Sequence, residues 1–115
     1  MTTHKQYKII ILPEAQKDIR EIVIYIAREL AAPQAALNLE EALFVGIRAL
    51  AKMPERIKTT NDSPWKEKGL RKIRIKNYYV YFIINEDEGT IKILAVIYVG
   101  RHQEKQLKKR DIENK

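Results

Sequence analysis

Residues 69–100 hold three strand-like runs in close succession, and a stretch this short can join them only through tight turns, as an antiparallel meander. The segment reads GLRKIRIKNYYVYFIINEDEGTIKILAVIYVG: a basic alternating run, an aromatic run, a short acidic turn and a long apolar run. Strand side chains alternate between faces, so Ile73 and Ile75 share one face while Lys72, Arg74 and Lys76 share the other. In the next run Tyr78, Val80, Phe82 and Ile84 point one way, and Tyr79 and Tyr81 the other. Turning the more apolar set inward places Tyr79 and Tyr81 beside the three cations. Cations interleaved with aromatic rings suit a single-stranded nucleic acid. They suit an acidic peptide equally, and a plain solvated strand face is the commoner meaning of such a charge run.

Upstream, residues 7–12 (YKIIIL) form a β-branched run that Pro13 ends, which predicts a strand. Pro13 fits the first turn of a helix, and Glu14 adds negative charge where the helix dipole favours it. Ala15, Ile19, Ile22, Val23, Ile26 and Leu30 then recur at helical spacing, with Lys17, Asp18, Arg20, Glu21, Arg28 and Glu29 on the other side. This helix is expected to end near Ala32. Pro33 begins a second, whose stripe is Leu39, Leu43, Ile47 and Leu50, and Pro54 marks its end. Gly46 beside that stripe leaves room for the first helix to approach. A junction at residues 31–33 is short enough to force an antiparallel helical hairpin.

Residues 55–68 lack a period and contain Asn61, Asp62, Ser63 and Pro64, so they read as a loop, with Trp65 capping the edge of the core. The tail from Arg101 carries a short helix around Leu107. The order β-α-α-β-β-β predicts an α+β fold: an antiparallel helical hairpin packed on one face of a small, mainly antiparallel sheet. The other face is left solvated or used. A single domain is expected over residues 1–115, with its core at about residues 7–107 and a basic tail at 108–115.

With 22 Lys and Arg against 15 Asp and Glu, the chain carries +7, which favours a polyanionic or acidic partner. Cysteine is absent and His4 and His102 are the only histidines, so neither a thiol nor a metal or other cofactor is expected to carry chemistry. The first seven residues lack the apolar core of a signal peptide, and residues 91–99 are too few to span a bilayer. The expected setting is the reducing cytoplasm, with no membrane partner.

The YKIIILPEAQKDIREI opening, the GLRKIRIKNYYVYFII core and the ILAVIYVGR ending, in this order and spacing, resemble the RelE/ParE superfamily of bacterial type II toxin–antitoxin toxins. The resemblance runs from about residue 7 to residue 107. It implies a toxin that inhibits growth when free, is neutralised by a cognate antitoxin protein, and belongs to modules associated with plasmid stabilization. ParE-like members poison DNA gyrase; RelE-like members are metal-independent mRNA interferases that cleave messenger RNA on the ribosome. For the RNA-cleaving branch, Lys72, Arg74 and Lys76 match basic positions of the first meander strand, and Arg101 and His102 stand where a cationic pair closes the last strand. Catalysis of that kind would rest on Arg74, Arg101 and His102, with Lys72, Lys76, Tyr79 and Tyr81 in binding RNA or another partner.

Two departures weigh against it. The Tyr-Arg pair common at the start of the middle strand is Tyr78-Tyr79 here, and no Tyr, Phe or Trp follows Tyr98. Each missing donor to a developing phosphorane removes orders of magnitude in rate. The resemblance therefore leans toward a gyrase poison, with the ribosome-dependent endoribonuclease and a non-toxic binding module as alternatives. Ile24 and Leu37, off the main stripes, are candidate antitoxin contacts.

Overall fold

The computed structural model describes residues 6–110. Strand β1 (Lys8–Ile11) leads into helices α1 (Pro13–Arg28) and α2 (Pro33–Ala49). A 3-10 turn at Pro54–Arg56 and a loop follow, then β2 (Arg71–Ile75), β3 (Tyr78–Asn85), β4 (Thr90–Tyr98) and a short α3 (Gln103–Lys108). The sheet order is β1-β4-β3-β2. The meander is antiparallel, and the helical hairpin carries the chain across so that β1 joins β4 in parallel, Lys8 opposite Thr90 and Ile11 opposite Ile93. The α+β architecture and element order are those the sequence predicts.

Both helices begin with Pro at the first turn, where its missing N–H costs nothing. Leu39, Leu43, Ile47 and Leu50 are buried against Val80, Phe82, Ile91, Ile93 and Val96, joined from α1 by Ala15 and Ile19. The inward set of β3 is thus the expected one. Helix α1 stops earlier than the sequence suggests. It ends at Arg28 in a turn in which the Ala32 N–H donates to Ile26 O, the Ala31 N–H to Arg28 O and the Leu30 N–H to Tyr25 O. Ala31 takes a left-handed φ of 49° there, and Leu30 is left 56% exposed rather than in the stripe. Gly46 makes room for β2 instead of for α1, since a Cβ there would lie 2.4 Å from Ile75 Cδ1.

The far face of the sheet is covered too. Trp65, Leu70, Tyr81, Leu94, Ala95, Ile97 and Leu107 form a second buried cluster, so Trp65 sits over the far face and not at the edge of the main core. A β-bulge builds this layer: Tyr81 faces Ala95 but Phe82 faces Ile93, leaving Leu94 as an extra residue on β4. Leu94 and Ala95 consequently both join the far cluster, which breaks the strict alternation of β4.

Asp18, expected on the solvent side of α1, turns inward at this bulge. It accepts a hydrogen bond from the Val96 N–H (2.9 Å) and pairs with Arg110 (2.7 Å), which also donates to Leu94 O (3.0 Å) and lies 3.2 Å from Glu14. One carboxylate and one guanidinium thereby pin α1 and the tail to β4 beyond the end of β1. Of the basic tail, residues 111–115 lie outside the described residues.

Candidate functional site

The cations of the first meander strand do not form the row that alternation alone implies. Lys72 faces Tyr81 and Arg74 faces Tyr79 across the β2–β3 ladder, as expected. The strand ends at Ile75, however, and Lys76 lies in the two-residue hairpin turn with a φ of 55°. A residue in this left-handed conformation no longer continues the strand's alternation.

Arg74 is tied to that turn. Its Nε donates to Lys76 O (2.9 Å) and its Nη2 to Asn77 Oδ1 (3.2 Å), so two donors of its guanidinium close the hairpin. Lys72 stays exposed, with Nζ 4.2 Å from the Tyr79 ring centroid and 5.9 Å from that of Tyr81. The sequence-predicted meeting of Lys72 with both tyrosines is therefore present.

The tyrosines do not make an open stacking platform. Tyr81 is buried, its hydroxyl donates to Gln103 Oε1 (2.9 Å), and burial pushes its pKa up to about 12, with Tyr79 and Asp62 adding to the rise. Tyr79 is half-buried and lies beneath the Lys72 ammonium. Both rings belong to the layer closed by Trp65 and Leu107.

Arg101 and His102 follow the end of β4. His102 is the N-cap of α3, its Nδ1 accepting from the Lys105 N–H (3.2 Å), which leaves only Nε2 for any proton transfer. Arg101 is exposed but borders a different surface, a groove of about 700 Å³ between α1 and the open edge of β4. Its walls include Ile22, Tyr25, Leu30, Tyr78 and Tyr98, and neither Lys72 nor Arg74 reaches it. The sequence-predicted residues thus divide into Lys72, Arg74, Tyr79 and Tyr81 on one face and Arg101 along the helical side.

Sequence reasoning missed this groove, because it arises where two strands differ in length. β1 pairs with only the first four residues of β4, and α1 lies over the remainder. Tyr25, Leu30 and Tyr98 are 55%, 56% and 49% exposed along it. It also missed a polar cluster at the opposite end of the sheet. There the buried Tyr7 hydroxyl bonds to Glu55 and, at 2.8 Å, to Glu86, and these bonds together with burial raise its pKa. Ile24 and Leu37, read as candidate contacts, are exposed on the hairpin.

Among the described residues, no helix is long and apolar enough to cross a membrane, and no three His, Cys, Asp or Glu gather as a metal site would require.

The comparisons with known proteins agree with this architecture. A chain of the chromosomal ParDE toxin–antitoxin system from P. aeruginosa superposes with a TM-score of 0.68 at 16% identity, over 83% of this chain and 98% of that one. A chain of the RelBE2 toxin–antitoxin complex from Mycobacterium tuberculosis superposes with a TM-score of 0.56 at 19% identity, over 81% and 98%. Identities this low show a shared fold. No curated protein sequence matches the chain. Residues 9–105, from β1 into α3, match the family described as the ParE toxin of the type II toxin–antitoxin system parDE, and the chain belongs to that family.

Proposed function

We propose that this toxin arrests growth by docking on DNA gyrase rather than by cleaving RNA, and that a cognate antitoxin silences it. The observation that carries the reading is how the candidate catalytic side chains are used. Arg74 closes a hairpin, His102 caps a helix, and Arg101 borders the groove at the open edge of β4. Stabilising a phosphorane requires donors free to converge on one set of oxygens, and the engagement of Arg74 with Lys76 and Asn77 and of His102 with the Lys105 N–H supports a reading without that chemistry. A toxin that acts by binding needs no such convergence.

The antitoxin has a natural seat in the groove along α1 and the open edge of β4. Large apolar side chains are exposed there, and Arg101 offers a cation to an acidic segment. A chain segment that folds on binding covers such a surface efficiently. That the fold is shared with a ParDE toxin–antitoxin system and with the RelBE2 toxin–antitoxin complex supports a cognate antitoxin as the partner.

The deciding experiment adds purified wild-type protein to gyrase with plasmid DNA and, separately, to a translation extract. Loss of supercoiling or accumulation of cleaved DNA, with intact messenger RNA, supports the reading. Messenger RNA cleavage that disappears in His102→Ala overturns it.

A further inference from the structure

The positive charge of this protein is segregated. Residues 65–76 and 101–110 together hold eleven Lys and Arg against Glu67 and Glu104, an excess greater than the +7 of the whole chain. The helical hairpin, residues 13–49, holds six acidic and four basic residues. One layer is therefore strongly positive and the opposite one slightly negative.

The fold brings the two basic segments to the same side of the sheet. Trp65 and Leu107 are buried in the cluster that covers the far face, and Tyr81 lies between them. The Tyr81 hydroxyl holds Gln103 of α3, while Lys72 stands over the tyrosine pair. Lys105 and Lys108 on α3 and Lys109 at its C-cap are exposed at helical spacing, opposite buried Leu107. Lys66, next to Trp65, is exposed as well. The cations already engaged, Arg71 on Glu55 O and Ile57 O and Arg110 on Asp18, are left out of this surface.

We infer that this layer binds the phosphodiester backbone of duplex DNA, through Lys66, Lys72, Lys105, Lys108 and Lys109. The surface selects a duplex over a single strand. Single strands are held largely by stacking on exposed aromatic faces, and here Tyr81 is buried and Tyr79 lies under an ammonium group. What the layer offers is flexible point charges, which position phosphates without reading bases. This inference does not depend on which enzyme the toxin acts on. For a toxin seated on gyrase, such a layer adds a contact with the DNA that the enzyme holds.

The test is fluorescence anisotropy of the full-length protein with three probes: a labelled mixed-sequence 20-base-pair DNA duplex, an oligouridylate of 20 nucleotides, and polyglutamate. Duplex binding is expected to be tightest and sequence-independent, with a dissociation constant of about 10⁻⁴–10⁻⁶ M near physiological salt. Its logarithm should vary with log salt with a slope of magnitude roughly 3–5. Lys105→Gln/Lys108→Gln/Lys109→Gln should lower the slope by about 3 and weaken binding by roughly 100-fold or more at 0.1 M salt. Unchanged Trp65 emission and thermal unfolding would show that this variant keeps its fold. Tighter binding of oligouridylate, equal binding of polyglutamate, no duplex binding at 50 mM salt, or an unaltered slope in the triple variant would each overturn the inference.

Discussion

Asp18 and Arg110 join three parts of the chain, and removing either should cost far more than a surface substitution does. In Asp18→Ala the Val96 N–H loses its acceptor on the edge of β4 that β1 does not reach, the other edge being paired with β3. An unsatisfied buried donor costs about 1–3 kcal/mol. The same change removes the 2.7 Å partner of Arg110, and breaking a buried ion pair typically costs about 3–5 kcal/mol. That second cost is reduced here because Arg110 keeps Leu94 O and Glu14, and because the two side chains remain 18% and 14% exposed. A net loss of about 2–4 kcal/mol follows, with Asp18→Asn at about half of it, since the amide oxygen still accepts from Val96. Urea unfolding followed by circular dichroism should show the midpoint falling by about 1–3 M at unchanged slope. The Val96 amide should lose hydrogen-exchange protection in the alanine variant. A double-mutant cycle with Arg110→Ala should give a coupling of about 1–2 kcal/mol. A loss below about 0.5 kcal/mol, the range of ordinary surface changes, would refute the clamp, as would a coupling of zero.

Three further outcomes are expected. Ala31→Gly relieves a left-handed alanine (φ 49°) at the end of α1 and should stabilise the protein by about 0.5–1 kcal/mol, read as a higher thermal midpoint; a lower midpoint would contradict that account. His102→Ala removes the α3 cap and should fray that helix by about 1 kcal/mol, shifting emission from Trp65, which shares a cluster with Leu107, whereas His102→Asn should restore the wild-type spectrum. Tyr81, with its phenol held at about 12 by burial, contributes stability that is full below the unfolded value near 10 and is lost as pH rises from 10 toward 12. That loss is on the order of 1–2 kcal/mol; Tyr81→Phe should flatten it, leaving the part due to Tyr7, and an unchanged alkaline profile would show that Tyr81 does not titrate in this way.

Periodicity made the helical hairpin and the inward face of the meander legible, because each depends on one element burying one stripe. Leu39, Leu43, Ile47 and Leu50 lie where a 3.6-residue repeat puts them, and Val80 and Phe82 where a two-residue repeat does. Long-range geometry was not legible in the same way. The placement of Leu94 depends on one extra residue in β4 opposite β3, and neither strand signals it alone. Asp18 looked like a solvent residue because its partners, Val96 and Arg110, lie 78 and 92 positions away. Trp65 came from a loop with no period, yet a large aromatic ring followed by Leu70 was enough to close the second face.

The site shows a related gap between residue type and residue use. Sequence marks Lys72, Arg74, Lys76, Arg101 and His102 as cations or bases in the right order, but a charged side chain reaches a substrate only if its own fold leaves it free. Arg74 sits two residues from a turn that presents Lys76 O and Asn77 Oδ1 as acceptors, and its guanidinium turns to them. His102 stands at the start of α3, where the first N–H groups require an acceptor, and its Nδ1 supplies one. Lys76 occupies the tip of a two-residue loop that needs a positive φ. These uses follow from local backbone demands within three residues of each side chain, while the placement of Arg101 follows from the length mismatch between β1 and β4. The unengaged lysines are different. Lys66, Lys105, Lys108 and Lys109 are exposed on the outer side of the layer that Trp65 and Leu107 close, with Lys72 over Tyr79 on the same layer. In this protein Arg74 and His102, two of the three residues that resemble catalytic groups, hold local structure together, and the positive charge exposed to a partner lies on Arg101 and mainly on the lysines around them.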